Sequence, residues 1–215
     1  MKDITNEEKG CAKINLALHV TGIQEDGYHA LDSIVVFTDV FDRLFFKRSL
    51  KNVVTFTGEF SKSINVQENS ILQALKLFEN GLTDRFSINL EKNLPIGAGL
   101  GGGSADAAAI IRFITKNRKH LMPSYEVLSK IGADIPACVL SVASRVGGIG
   151  EIVQPLDMSE INLWVVLVNP DIFVSTGSIF EEVTEKYNQP LESFIDLSST
   201  DQFIDYLKRQ RNDLQ

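Results

Sequence analysis

From Ala12 onward the chain alternates. Ile14, Leu16, Leu18 and Val20 stand against Lys13, Asn15, Ala17 and His19, the two-residue period of a half-buried strand. That alternation puts Lys13, Asn15 and His19 on one face. Gln24-Glu25-Asp26-Gly27 reads as a turn, and Ser33 to Phe37, Arg43 to Phe46 and Val53 to Phe56 carry the β-branched and aromatic content of further strands. Asn69 is placed to cap a helix with Ile71, Leu72, Leu75 and Phe78 at helical spacing, ending near Asn80-Gly81. Phe86, Ile88 and Leu90 return to the period of two. Ser104 to Arg118, rich in Ala and Ile and without Gly or Pro, predicts a buried helix, and a shorter one covers Tyr125 to Lys130. Trp164 to Val168 is a continuous apolar run that predicts a central strand closed by Asn169-Pro170, and Gly177 to Tyr187 predicts a helix. The sum is an α+β chain without repeats, whose one linker candidate lies near Gln154 to Glu160.

With 215 residues, 44% of them hydrophobic, the chain can bury a substantial core. Its formal net charge of -7 argues against a nucleic-acid partner, because phosphate backbones are held chiefly by clustered Lys and Arg. The basic group Lys116, Arg118, Lys119 and His120 falls at a helix end, where cations complement the dipole. Met1 to Gly10 lacks the apolar core of a signal peptide and no later apolar run is long enough to span a bilayer, so the expectation is a cytoplasmic protein with no membrane partner. Cys11 and Cys138 are too few and too isolated for a disulfide framework or a zinc cluster.

The densest chemical signal is Leu94-Pro95-Ile96-Gly97-Ala98-Gly99-Leu100-Gly101-Gly102-Gly103-Ser104, five glycines immediately before a helix. Free backbone N–H groups and the helix dipole favour an anion there, and glycine lets phosphate oxygens reach the amides. Gly97, Gly99 and Gly102 also satisfy G-x-G-x-x-G. A dinucleotide site, however, should follow its strand directly and carry an acid about 20 residues on, whereas Glu91-Lys92-Asn93 interrupts the approach. A P-loop would need Gly-Lys-Ser or Gly-Lys-Thr, and the lysine is missing. A merely flexible loop is the plainer alternative.

The proline, glycine-rich loop, serine and small-residue helix from Pro95 to Ala109 resembles the second motif of the GHMP superfamily of small-molecule kinases. Ala12-Lys13-Ile14-Asn15-Leu16, His19-Val20-Thr21-Gly22 and Asp26-Gly27-Tyr28-His29 narrow the resemblance. They are similar to the branch that phosphorylates a cytidine-diphosphate derivative of methylerythritol in non-mevalonate isoprenoid precursor synthesis. Gly132-Ala133-Asp134-Ile135-Pro136, Gly148-Ile149-Gly150-Glu151 and Ser175-Thr176 with Phe180 resemble it too. The resemblance implies a GHMP kinase-like two-domain fold, with an ATP-binding domain over 1–155 and a partial second domain over 156–215. It implies ATP as co-substrate, delivered with Mg2+, and a hydroxyl of the methylerythritol moiety as acceptor. Lys13 and Asp134 become the catalytic pair. Pro95, Ile96, Gly97, Ala98, Gly99, Leu100, Gly101, Gly102, Gly103, Ser104 and Ala105 wrap the ATP phosphates, with Asn69 and Lys92 as further nucleotide contacts. Asn15, Tyr28, His29, Thr176 and Phe180 contact the substrate. Metal ligands stay unassigned and a monomer or homodimer is expected.

Phosphoryl transfer asks mainly for positioning and charge stabilisation, with one group able to orient or deprotonate the attacking hydroxyl. Asp134 suits that role, with an ammonium from Lys13 holding it ionised. The residues alone leave plainer readings open: Asp134 as a turn or cap carboxylate before Ile135-Pro136, Lys13 on a solvated face, Tyr28 and His29 as hairpin residues, Phe180 as core. Arg211-Asn212-Asp213-Leu214 resembles an element that the family follows with more chain, including a third, glycine- and serine-rich motif, so the C-terminal domain is expected to be incomplete. The competing functions are another GHMP kinase, acting on mevalonate, homoserine or a sugar, and a nucleotide-binding module without turnover.

Overall fold

The computed structural model describes residues 6–25, 27–64, 70–79, 81, 83–169, 172, 174–193 and 197–215. The alternating N-terminal stretch forms β1 (Asn6–Ile23), which turns through Gly27 at φ +88° and returns antiparallel as β2 (His29–Ser49). The two strand segments expected at 33–37 and 43–46 are thus one strand of 21 residues. Its length lets it pair with three others: β1 along most of its course, β4 (Arg85–Glu91) over its last third and β5 (Ser144–Gly148) near its start. β3 (Val53–Thr57) runs parallel to β4, the two joined through α1 (Ser70–Lys76). β6 (Ile152–Pro155) closes a hairpin with β5. The expected helix cap at Asn69 lies outside the described residues.

One face of the sheet is covered by α1, α2 (Gly102–Thr115), α3 (Tyr125–Ser129) and α4 (Ile135–Leu140). The small residues of α2 let it lie deep in the core: Ala107, Ala108, Ala109, Ile110 and Ile111 are all fully buried against Leu44, Phe46, Ile88 and Leu90. A second cluster forms where Ala17 and Ile34 meet Leu191, Phe203 and Tyr206, the last two from α6 (Thr200–Lys208). α5 (Thr176–Glu182) brings Phe180 toward Leu18 and Val20. The chain's last residues lie along β1, with Leu18 N donating to Arg211 O (2.9 Å) and Asp213 N to Leu18 O (2.8 Å).

Two expectations fail here for physical reasons. Residues 164–168 form no strand, and Trp164, Val166 and Val168 are 94%, 86% and 87% exposed. A continuous apolar run reports what a segment is able to bury, but a strand also needs a neighbouring edge, and no described strand pairs there. The face-sharing of His19 with Lys13 and Asn15 fails because β1 carries a bulge: Asn15 pairs with Val35 but Ala17 with Ile34. Two steps on one strand against one on the other invert the alternation. Lys13 and Asn15 therefore face the cleft, while His19 lies on the opposite side. There its Nδ1 donates to Gln189 O (2.8 Å) and its Nε2 accepts from Arg211 N (3.2 Å). Among the described residues no helix is long and apolar enough to cross a membrane.

Candidate active site

The segment joining β4 to α2 is the glycine-rich loop, with Gly97, Gly99 and Gly101 at φ +71°, +71° and +63°, where a Cβ would be strained. Gly101 caps α2 in a left-handed conformation, and Lys13 N donates to Leu100 O (2.9 Å), fastening the loop tip to β1. A Cβ on Gly101 would stand 3.3 Å from Lys13 Cβ and 3.5 Å from Asp134 Oδ2, so glycine is what lets three segments converge. α2 begins here without a side-chain cap, leaving its first amides to face the cleft.

Lys13 Nζ donates to Asp134 Oδ1 and to Asn15 Oδ1, both at 2.7 Å. Asn15 Nδ2 donates to Ser33 Oγ, which donates to Ala17 O, each at 2.7 Å. This chain of bonds fixes the lysine, whose side chain is almost wholly buried, while the Asp134 side chain keeps 39% exposure toward the cleft. Asp134 is the N-cap residue of α4, yet its side chain makes no capping bond. It is turned to Lys13 instead, which removes the plain cap reading. Asp134 is held from behind by the β5–β6 turn, where Gly150, at φ +121°, packs on the backbone of Ala133.

The cleft has a volume of about 840 Å³ and runs from the glycine-rich loop past Lys13, Asn15 and Asp134 to Thr176 and Phe180. Pro95, Ile96, Gly97, Ala98, Gly99, Leu100, Gly101, Gly102, Gly103 and Ser104 all line it. Ala105 does not, being buried in α2. Tyr28 and His29 are not wall residues. Tyr28 is exposed at the hairpin end, and His29 stacks on Phe180 with ring centroids 5.1 Å apart. The His29 Nε2 is buried and has no hydrogen-bond partner, and burial, with Lys186 nearby, pushes the imidazole below its ordinary value. Asn69 lies outside the described residues.

Lys92 lines the cleft floor, but its ammonium is engaged by Asp42 and, at 2.9 Å, by Asp106. Those two carboxylates were not foreseen from sequence, and neither were Ser33 or Leu214, which also line or brace the cleft. Asp106 carried a usable signal, being the one acidic residue of α2. Among the described residues no group of three His, Cys, Asp or Glu side chains could hold a metal ion.

The GHMP kinases N terminal domain model matches residues 69–148, which carry the loop and Asp134. A 4-diphosphocytidyl-2-C-methyl-D-erythritol kinase of Cereibacter sphaeroides is 38% identical over 205 residues, covering 95% of this chain and 73% of that protein. One from Rhizobium johnstonii is 39% identical, covering 97% and 71%. A crystal structure of 4-(cytidine 5'-diphospho)-2C-methyl-D-erythritol kinase superposes with a TM-score of 0.69 at 26% identity, covering 97% of this chain and 75% of that one. The mevalonate kinase of Methanococcus jannaschii, at 14% identity and a TM-score of 0.51, shares the fold.

Proposed function

The chain belongs to the 4-diphosphocytidyl-2-C-methyl-D-erythritol kinase family of GHMP kinases, and we propose that it transfers the ATP γ-phosphoryl group to a hydroxyl of 4-diphosphocytidyl-2-C-methyl-D-erythritol. The observation that carries this reading is the Lys13–Asp134 pair, placed where the glycine-rich loop meets a cleft leading to Thr176 and Phe180. ATP enters as its Mg2+ complex, its phosphates against the amides of residues 97–104 and the N-terminus of α2. Asp134 accepts the proton of the acceptor hydroxyl as the oxygen bonds to the γ-phosphorus and the bond to the β,γ-bridging oxygen breaks, releasing ADP. Lys13 keeps Asp134 ionised and offsets charge on the phosphoryl group in transit. Asn15 and Thr176 position the acceptor. Phe180, His29 and Tyr28 take the cytosine, with ring faces for stacking. Residues 1–155 act as the ATP-binding domain and 156–215 as part of the second domain.

The test is turnover of the purified chain with Mg2+ and ATP on 4-diphosphocytidyl-2-C-methyl-D-erythritol, mevalonate, homoserine and a sugar, following ADP release and product mass. Turnover confined to the cytidine substrate supports the reading. Preference for another acceptor, or nucleotide binding with no turnover on any, overturns it in favour of another kinase or a binding module.

A further inference from the structure

Beneath the glycine-rich loop lie three ionisable side chains that the proposed chemistry does not use. Lys92, Asp42 and Asp106 are all buried, and come from the position just after β4, from β2 and from the second turn of α2. Every polar atom but one in this group has a partner. Lys92 Nζ donates to Asp42 Oδ2 and to Asp106 Oδ2, and Asp42 Oδ1 accepts from the backbone amides of Asn93 and Leu94 (2.8 Å for Leu94). The lysine's own backbone is pinned to β3, with Lys92 N donating to Thr57 O (2.7 Å) and Phe60 N to Lys92 O (3.2 Å). The unpartnered atom is Asp106 Oδ1, which lies 2.5 Å from where a Gly10 Cβ would stand.

The placement of the triad is specific. Asn93 and Leu94 are the residues by which the chain enters the loop, and Asp106 is reached a few residues after it leaves. A Cβ on Gly102 would meet Lys92 Nζ at 2.9 Å, so the ammonium sits directly under the loop's exit. Burying three ionisable groups is costly for stability, and apolar packing at the same place is often at least as stabilising.

We infer that the Asp42–Lys92–Asp106 triad is a positioning device: it ties the entrance of the glycine-rich loop to its exit and holds the two at the separation at which the loop amides converge on phosphate. Lys92 then acts on nucleotide through the loop it braces and not by contact with it. This rests on the reading of the loop as an ATP site, but half of its test does not.

Asp106→Ala removes the α2 end of the tie and leaves Lys92 and Asp42 as a charge-balanced pair, so the chain should fold. Asp106→Asn keeps an oxygen for Lys92 and should restore the tie. Hydrogen–deuterium exchange on the nucleotide-free chain reads the amides that the arrangement protects, those of Lys13, Asn93, Leu94 and Ala105. The expected result is exchange at least about tenfold faster there in D106A, unchanged protection in the β2–β4 ladder, and near-wild-type behaviour in D106N. With substrates present, KM for ATP should rise about tenfold in D106A while kcat and the acceptor KM stay within about twofold. Unaltered exchange at those amides, faster exchange throughout the chain, or equal impairment in D106N overturns the inference. Should D106A fail to fold, Asp106→Ser, whose hydroxyl is too short to reach Lys92, takes its place. A chain that never turns over ATP defeats the kinase reading but leaves the exchange result standing.

Discussion

Gly150→Ala places a methyl group where no reacting group is touched, yet it should slow the reaction. At φ +121° an alanine is strained whatever the space around it, at about 1–3 kcal/mol. The space is also taken: the added Cβ would lie 2.0 Å from Ala133 O and 2.7 Å from Ala133 C. Ordinary contact begins near 3.4 Å, so the Ala133 backbone must retreat by more than an ångström, and the next residue is Asp134. Strain and overpacking together should lower stability by about 3 kcal/mol, roughly 6–12 °C in Tm for a chain of this size. A displacement of about 1 Å at a reacting carboxylate should cost about 10²-fold in kcat. Thermal unfolding followed by calorimetry and steady-state turnover at a temperature where the variant is folded would measure both. Wild-type turnover from a destabilised but folded G150A would show that the β5–β6 turn does not set the position of Asp134. An unchanged Tm would refute the steric argument itself.

Asp134→Asn should leave Tm nearly unchanged, since the side chain is 39% exposed, and lower kcat by about 10²–10⁴-fold with little change in KM; steady-state kinetics reads the split. Phe180→Ala removes the ring stacked on His29 and should weaken cytidine nucleotide binding several-fold, on the order of 1 kcal/mol, with ATP affinity unchanged in calorimetry. Asp106 is pushed up to about 7 by burial, which outweighs the pull of Lys92; Asp42 adds to the rise, and from α4 the neighbouring titratable group is the Cys138 thiol. The folded chain therefore holds a proton that the unfolded chain has released. Its stability should fall as pH climbs from about 4 to about 7 and level off above, a slope that Asp106→Asn should lack when Tm is followed across that range. Trp164→Lys with Val166→Lys should shift stability by no more than about 0.5 kcal/mol per site, in contrast to the collapse expected of a buried strand.

Much of the site could be read from sequence because its parts are local. A run of glycines before an alanine-rich helix dictates both a loop and a helix start, and residues 97–104 line the cleft as that pattern predicts. Lys13 and Asn15 share a face because they stand two positions apart on a strand. What sequence did not reveal depends on pairing between distant segments. The bulge after Asn15 arises from register against β2, and no periodicity in β1 announces it. The triad joins residues 42, 92 and 106, of which the sequence reading named only Lys92, as a nucleotide contact. α4, β5 and β6 went unmarked because such short elements carry weak periodic signals, whereas α6 had a legible one in Phe203 and Tyr206, three positions apart and both buried.

The register offset at Asn15 makes strand β1 a partition with different clients on its two sides. Upstream, the side chains turned to the cleft serve phosphoryl chemistry, while downstream Ala17 and His19 turn to the layer formed by Leu191, Phe203 and Arg211. Losing the single residue Leu16 would remove the offset and leave both sides as they are, since Asn15 would still meet Val35 and Ala17 would still meet Ile34, whereas losing Leu18 would move His19 into the position Leu18 holds and deliver an imidazole to the chamber. A one-codon deletion past the offset should therefore do more damage than one at the offset itself.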